Sequence, residues 1–356
     1  MSALDTGNRV QVAAHHWRPR FVANGIDVNN FDDTVGRTTD WKEWGPNWKA
    51  VGEMHEELAT EAAHKGRAVS ARQAYQRAAW SYHLGKFLWF EDAQLHGWLR
   101  DRSVNAYRRA LPDLHPAGER LEIPFEGHII PANLRKLEAS GRVPLVLLVP
   151  GLDSSKEELF AIEEEFLARG LATLTMDGPG QSENSVHFAI RPNWETVITP
   201  VIDHLEHTAP SGLDLHRIGL MGISMGGIYG PRAAAHERRL RAVVELAGPY
   251  NLGECWDALN PLTRGGYVFY TKSRDEAEAR QKAYGLNLEG VLAKVTQPLL
   301  VIHGAKDRLF PPAHAERIAR EAPNATLWIY PDGNHVCNNI SYKYRPLMAD
   351  WLREIL

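Results

Sequence analysis

The sequence predicts an α/β fold, a mostly parallel sheet with helices on both faces, preceded by an α-helical N-terminal domain. Three observations carry this. From residue 120 onward, short apolar runs alternate with helical segments, the pattern of buried strands joined by crossover helices. One of these runs, Arg217 to Ile223, passes through Ser224 into a helix, with Gly222 and Gly226 flanking the serine. Residues 41 to 111 show helical spacing instead, interrupted by few prolines.

In the N-terminal part, Leu58, Ala62 and Ala63 lie on one helical stripe and Tyr75, Ala78, Ala79, Tyr82 and Leu84 on another. Seven of the eleven tryptophans fall here. Among them Trp41, Trp44 and Trp48 either pack helices together or line a pocket for a flat ligand. Pro112 and Pro116 mark a boundary, which divides the chain into a helical domain, 1–115, and an α/β domain, 116–356. The second begins with a hairpin over Leu121 to Leu137 and a buried strand over Val143 to Val149 that ends in Pro150-Gly151. A helix from Lys156 to Arg169 precedes the strand Leu171 to Met176, which runs into Asp177-Gly178-Pro179-Gly180. A helix over Trp194 to His207, the strand before Ser224, the helix after it and the strand Ala242 to Ala247 follow. The last elements are a strand over Pro298 to His303, a helix over Pro312 to Glu321, a strand over Thr326 to Tyr330 and a helix over Tyr342 to Leu356.

Composition excludes several classes. With 356 residues, 44% of them hydrophobic, the chain can bury a large core in more than one packing unit. A net charge of −4 with scattered Lys and Arg gives no footprint for nucleic acid. The N-terminus lacks the apolar segment of a signal peptide and no run is long enough to cross a bilayer. A cytoplasmic protein with no membrane partner is therefore expected. Cys255 and Cys337 are too few for a disulfide framework or a structural zinc site, so no metal is expected.

The Gly-x-Ser-x-Gly turn between strand and helix is the context of a nucleophile elbow, which lifts a serine oxygen clear of the backbone. A serine hydroxyl needs a histidine to take its proton and a carboxylate to fix the imidazole tautomer. Asp307 follows the strand Leu299 to His303, and His335 lies in the loop after the last strand; both sit at the sheet edge where open α/β sheets build their sites. The order Ser224, Asp307, His335 makes them the candidate catalytic triad. Each has a plainer reading alone, Ser224 as a small residue in a tight turn, Asp307 as a helix cap and His335 as one of sixteen histidines. His303, inside the strand, reads as a core histidine, and Cys337 as a small buried hydrophobe. For the oxyanion, the backbone N–H of Met225 and that of Leu152, after Gly151, are the candidate donors.

The elbow at Gly222 to Gly227, the Asp177-Gly178-Pro179-Gly180-Gln181 turn, the His303 to Asp307 segment and Gly333-Asn334-His335 together resemble the α/β-hydrolase superfamily. Further segments, among them Phe21 to Asp27, Tyr82 to Leu88, Ser155 to Glu158 and Met348 to Leu352, extend the resemblance over nearly the whole chain. They resemble a group that contains 2,6-dihydroxypseudooxynicotine hydrolases of bacterial nicotine breakdown and fungal polyketide-shortening hydrolases. The resemblance implies hydrolysis of a carbon–carbon bond next to a ketone, in a substrate with an electron-rich ring, by a cofactor-free homodimer. The helical domain is expected to contribute to the substrate pocket. It also implies a further carboxylate near the triad. Glu254 and Asp257 are candidates for it, with a solvated loop or helix cap as their plainer role. The segment of about 249–297 is expected to form a cap, with Tyr250 and Trp256 as candidate pocket residues. Carboxylesterase or acyltransferase activity stays open, because the triad itself does not distinguish the leaving group.

Overall fold

The computed structural model describes residues 9–138 and 141–356, which divide into two compact units, one ending at Arg120 and one beginning at Leu121. The first unit is built from α1 (Arg9–Ala23), α2 (Val28–Arg37), α3 (Trp44–His64), α4 (Ala68–Lys86) and α5 (Ala93–Ala110). Helicity therefore begins well before residue 41. Asp27 and Asp92 start α2 and α5 by accepting hydrogen bonds from the free backbone N–H groups of the first turn.

Spacing along α3 explains its burial. Trp44, Trp48, Val51, His55, Ala59 and Ala62 recur every three or four positions and are buried. Leu58 falls one position off that face and is 49% exposed, so the stripe expected to include it is corrected. Small side chains at Ala59, Ala62, Ala71, Ala74 and Ala110 let α3, α4 and α5 approach closely around Tyr75. The tryptophans resolve as packing residues. Trp41 and Trp44 stack at 5.3 Å between ring centroids, and Trp17 and Phe87 meet edge to face at 4.9 Å. The Trp44 and Trp89 indoles donate to the Leu84 and Trp41 carbonyls, both at 2.9 Å, so these polar groups are satisfied inside the core.

An eight-stranded sheet, in the second unit but for the first three residues of β1, comprises β1 (Gly118–Phe125), β2 (His128–Arg135), β3 (Val143–Val149), β4 (Ala172–Met176), β5 (Leu213–Ile223), β6 (Leu240–Leu246), β7 (Leu299–Gly304) and β8 (Ala325–Tyr330). The strand order is β1-β2-β4-β3-β5-β6-β7-β8. β2 runs antiparallel to β4, and from β4 to β8 every pairing is parallel. The helices are α6 (Phe160–Leu167), α7 (Glu195–Thr208), α8 (Met225–His236), the short α9 (Leu252–Cys255), α10 (Pro261–Tyr270), α11 (Glu276–Ala283), α12 (Pro312–Glu321) and α13 (Ser341–Ile355). On one face, Val146, Leu148, Met221, Val244, Leu300 and Ile302 pack with Phe166 of α6 and Met348 and Leu352 of α13. Elsewhere in the unit, Trp194 stacks on Tyr229 of α8 at 4.9 Å, nearly parallel. Parallel strands covered on both faces need apolar residues at successive positions, which is why Val143–Val149 reads as an unbroken apolar run. No helix among the described residues is long and apolar enough to cross a membrane.

Candidate active site

β5 ends at Ile223 and α8 begins at Met225, so Ser224 alone makes the turn, at φ 56° and ψ −116°. A non-glycine residue in this region is strained, and the surrounding structure must hold it there. The Ser224 N–H donates to the Leu246 carbonyl at 2.8 Å, and the Gly227 N–H to the Ser224 carbonyl at 2.8 Å. A Cβ at Gly222 would run into the Gly226 carbonyl, and one at Gly226 would lie 2.5 Å from the Val149 carbonyl oxygen. The turn closes only with glycine at both positions.

Asp307 follows β7 and His335 follows β8, so neighbouring strands bring both to the serine. His335 Nε2 lies 2.9 Å from Ser224 Oγ, and His335 Nδ1 lies 2.7 Å from Asp307 Oδ2. The other carboxylate oxygen of Asp307 accepts the Leu309 and Phe310 N–H groups at 2.8 and 3.1 Å. Burial pushes the Asp307 carboxyl up, but His335, His303 and the Phe310 N–H outweigh it and hold the group below its ordinary value. An ionised Asp307 requires a proton on His335 Nδ1. That leaves the Nε2 lone pair facing the serine hydroxyl, where it can accept a proton.

His303 was expected only as a core residue. It is fully buried, as expected, yet its Nε2 lies 3.5 Å from Asp307 Oδ2. The same nitrogen faces the Phe310 carbonyl at 2.9 Å and so carries the proton. Burial lowers the pKa of His303 despite the nearby Asp307 charge. The sole sequence signal for this neighbour was its place at the C-terminal end of a strand. Glu245 was also missed. Its Oε1 accepts the Gly248 N–H beneath the elbow, and burial, reinforced by Asp307, pushes its pKa well above the carboxylate range.

The candidate pocket residues of the cap have partners of their own. Asp257 is 75% exposed and pairs with Arg280 at 2.7 Å, while Glu254 is exposed with Arg317 at 3.5 Å. Both carboxylates are exposed and have Arg partners on α11 and α12. The Tyr250 hydroxyl donates to Glu321 at 2.8 Å and its ring lies under the Arg317 guanidinium. Trp256 is buried against Tyr267. Tyr250 thus ties the segment after β6 to α12, while Trp256 packs within the cap.

Next to the elbow, the turns after β3 and β4 are stitched together. The Lys156 N–H donates to Asp177 Oδ1 at 2.8 Å, and its ammonium lies 2.7 to 2.8 Å from Glu157, Asp177 and Glu183. These three carboxylates are the one group among the described residues with metal-ligand spacing, and the Lys156 ammonium already bridges them. Met225 opens α8, where the first-turn N–H groups have no intrahelical partner. Leu152 lies in the turn after β3, where a Cβ built on Gly151 would sit 3.2 Å from Ser224 Cβ. Both expected oxyanion donors therefore belong to backbone beside the serine.

Comparison with known proteins agrees with this architecture. Residues 23–253 match the model of the FrsA-like esterase family, and residues 159–356 that of the prolyl oligopeptidase family. The chain is 32% identical to 2,6-dihydropseudooxynicotine hydrolase of Paenarthrobacter nicotinovorans, over 95% of this chain and 91% of that protein. It is also 32% identical to the 20-hydroxy-prefusarin hydrolase of Gibberella moniliformis, over 65% of this chain and 58% of that protein. The crystal structure of the 2,6-dihydroxy-pseudo-oxynicotine hydrolase superposes with a TM-score of 0.87 at 31% identity, covering 95% of each chain. The chain is an α/β-fold hydrolase and belongs to the same family as 2,6-dihydropseudooxynicotine hydrolase.

Proposed function

We propose that Ser224, His335 and Asp307 form the catalytic triad of a hydrolase that cleaves a carbon–carbon bond next to a ketone, in an aryl ketone or β-diketone. The observation that carries the triad is the continuous path from Ser224 Oγ through both nitrogens of His335 to Asp307, at 2.9 and 2.7 Å. What favours carbon–carbon cleavage is the likeness to a pseudooxynicotine hydrolase along nearly the whole chain, helical unit included.

In this reading Ser224 Oγ attacks the ketone carbonyl as His335 Nε2 takes its proton, and the N–H groups of Met225 and Leu152 hold the oxyanion. Collapse of the adduct breaks the carbon–carbon bond. The electron pair leaves on carbon, delocalised as an enolate when a second carbonyl is adjacent, and the His335 proton quenches it. An acyl group stays on Ser224 until water, activated by His335, releases it as a carboxylic acid. The helical unit contributes to substrate selection in this proposal, and the active species is a homodimer.

Ester hydrolysis is the second reading, and the match to an esterase family model favours it. An alkoxide leaves more easily than a carbanion, so activated esters should turn over in either case. The test is kcat/KM on a panel of aryl β-diketones beside matched aryl esters. Turnover of diketones to an acid and a ketone is expected. Turnover of esters alone would leave carboxylesterase as the function.

A further inference from the structure

Gln181 is fully buried, and both ends of its amide are engaged. Its Oε1 accepts the Gly178 N–H at 2.8 Å within its own turn after β4. Its Nε2 crosses to the turn after β3, lying 2.6 Å from the Pro150 carbonyl oxygen and 3.4 Å from that of Gly151. These partners fix the amide orientation, since carbonyls need the nitrogen end and the N–H needs the oxygen end.

The Gly151 carbonyl belongs to the peptide unit that carries the Leu152 N–H. In a trans peptide the two groups point in opposite directions. Holding the Gly151 oxygen toward Gln181 therefore turns the Leu152 N–H away from Gln181. That N–H donates to no protein acceptor among the described residues. On the neighbouring residue, a Cβ built on Gly151 would stand 3.6 Å from Ser224 Oγ, so this backbone borders the reacting oxygen. The turn that presents Gln181 is itself anchored, because Asp177 binds both the backbone N–H and the ammonium of Lys156 at 2.8 Å. From the cap, the Tyr270 hydroxyl donates to Asp153, one residue beyond Leu152.

We propose that Gln181 is a positioning residue of the oxyanion hole: by gripping the Pro150 and Gly151 carbonyls it aims the Leu152 N–H at the substrate oxygen. The proposal rests on the Ser224 triad reading. Gln181 touches no substrate, so its loss acts through the donor it orients. It should slow the chemical step and leave substrate binding nearly unchanged.

The experiment compares the full-length wild type with Gln181→Met, Gln181→Glu and Ser224→Ala on one activated aryl ester across a pH series. Gln181→Met keeps the length of the side chain and removes its donor. Its kcat should fall about 10²-fold, as for a lost oxyanion donor, with KM within about twofold. Gln181→Glu separates orientation from packing. Ionised, its carboxylate repels the Pro150 oxygen; protonated, it donates to that oxygen as the amide did. A buried carboxyl takes up its proton well above the usual range. The kcat of Gln181→Glu relative to wild type should therefore rise at least about tenfold as pH falls from about 8.5 to about 5.5. A ratio that stays flat with pH, or a loss carried by KM, overturns the proposal while an inactive Ser224→Ala leaves the triad standing. Turnover retained by Ser224→Ala would instead overturn the triad. If Gln181→Met does not fold, the pH ratio of Gln181→Glu decides alone.

Discussion

Replacing Asp307 by asparagine exchanges one carboxylate oxygen for an NH₂ group, and the hydrogen bonds around the side chain determine where that group must go. Oδ1 accepts two backbone N–H groups, from Leu309 and Phe310. An amide nitrogen cannot accept from either, so the remaining oxygen of the substituted side chain occupies that side and its NH₂ group faces His335 Nδ1. A donor there forces Nδ1 to accept, which moves the imidazole proton to Nε2, opposite Ser224 Oγ. The histidine then presents a proton where it should present a lone pair. For a serine triad held in the wrong tautomer the loss in kcat is about 10⁴-fold, or about 5.5 kcal/mol of transition-state stabilisation. The assay is kcat on an activated aryl ester at pH about 8, normalised to folded protein by circular dichroism. A loss under about tenfold in a folded Asp307→Asn variant would refute the assignment of Asp307 as the residue that sets the tautomer.

Other perturbations test the frame around the site. Lys156→Met leaves Glu157, Asp177 and Glu183 without their shared ammonium, and breaking a buried pair from one side costs about 3–5 kcal/mol; a melting temperature near that of wild type would contradict this. Burial raises Glu163 from 4.5 to about 7, against the pull of Arg135 and Thr173. A raised carboxyl stabilises the fold fully below its unfolded value, and that stability is lost as pH rises through about 7. At about 1.4 kcal/mol per pH unit the window from 4.5 to about 7 amounts to about 3 kcal/mol. Glu163→Gln should therefore lose less stability than wild type between pH about 5 and about 8.5, and parallel pH curves of melting temperature would show the reasoning wrong. Gly222→Ala drives a methyl group into the Gly226 carbonyl and should cost about 3 kcal/mol together with most activity; a stable, active variant would mean the elbow is less constrained than its geometry indicates.

Much of this was legible from residues alone, for identifiable reasons. The strand Val143–Val149 was delimited by an unbroken apolar run closed by Pro150-Gly151, and its observed bounds agree. The elbow was legible because its glycines are dictated by local clashes, which leave a pattern only five residues long. Ser224, Asp307 and His335 could be aligned because parallel strands deliver their C-terminal ends to one edge. Long-range partners were illegible. Nothing local to Gln181 says that its amide reaches Pro150 thirty-one residues earlier in the chain. Nor does anything local reveal that Glu245 lies near Asp307. The cap shows the same limit: Glu254 and Asp257 have the composition of pocket acids, and nothing local to them reveals their pairing with Arg317 and Arg280. In the helical unit, α1 escaped notice because Pro19 lies inside it and its apolar periodicity is weak.

Whether Ser224 carries an acyl group cut from a ketone can be read by rapid-quench peptide mapping during turnover of an aryl β-diketone. An acyl adduct is expected on the Ser224 peptide, formed at least as fast as product appears, with the departing ketone carrying one solvent-derived proton. Diketone turnover with Ser224 unmodified, or acylation of Ser224 by esters alone, would contradict it.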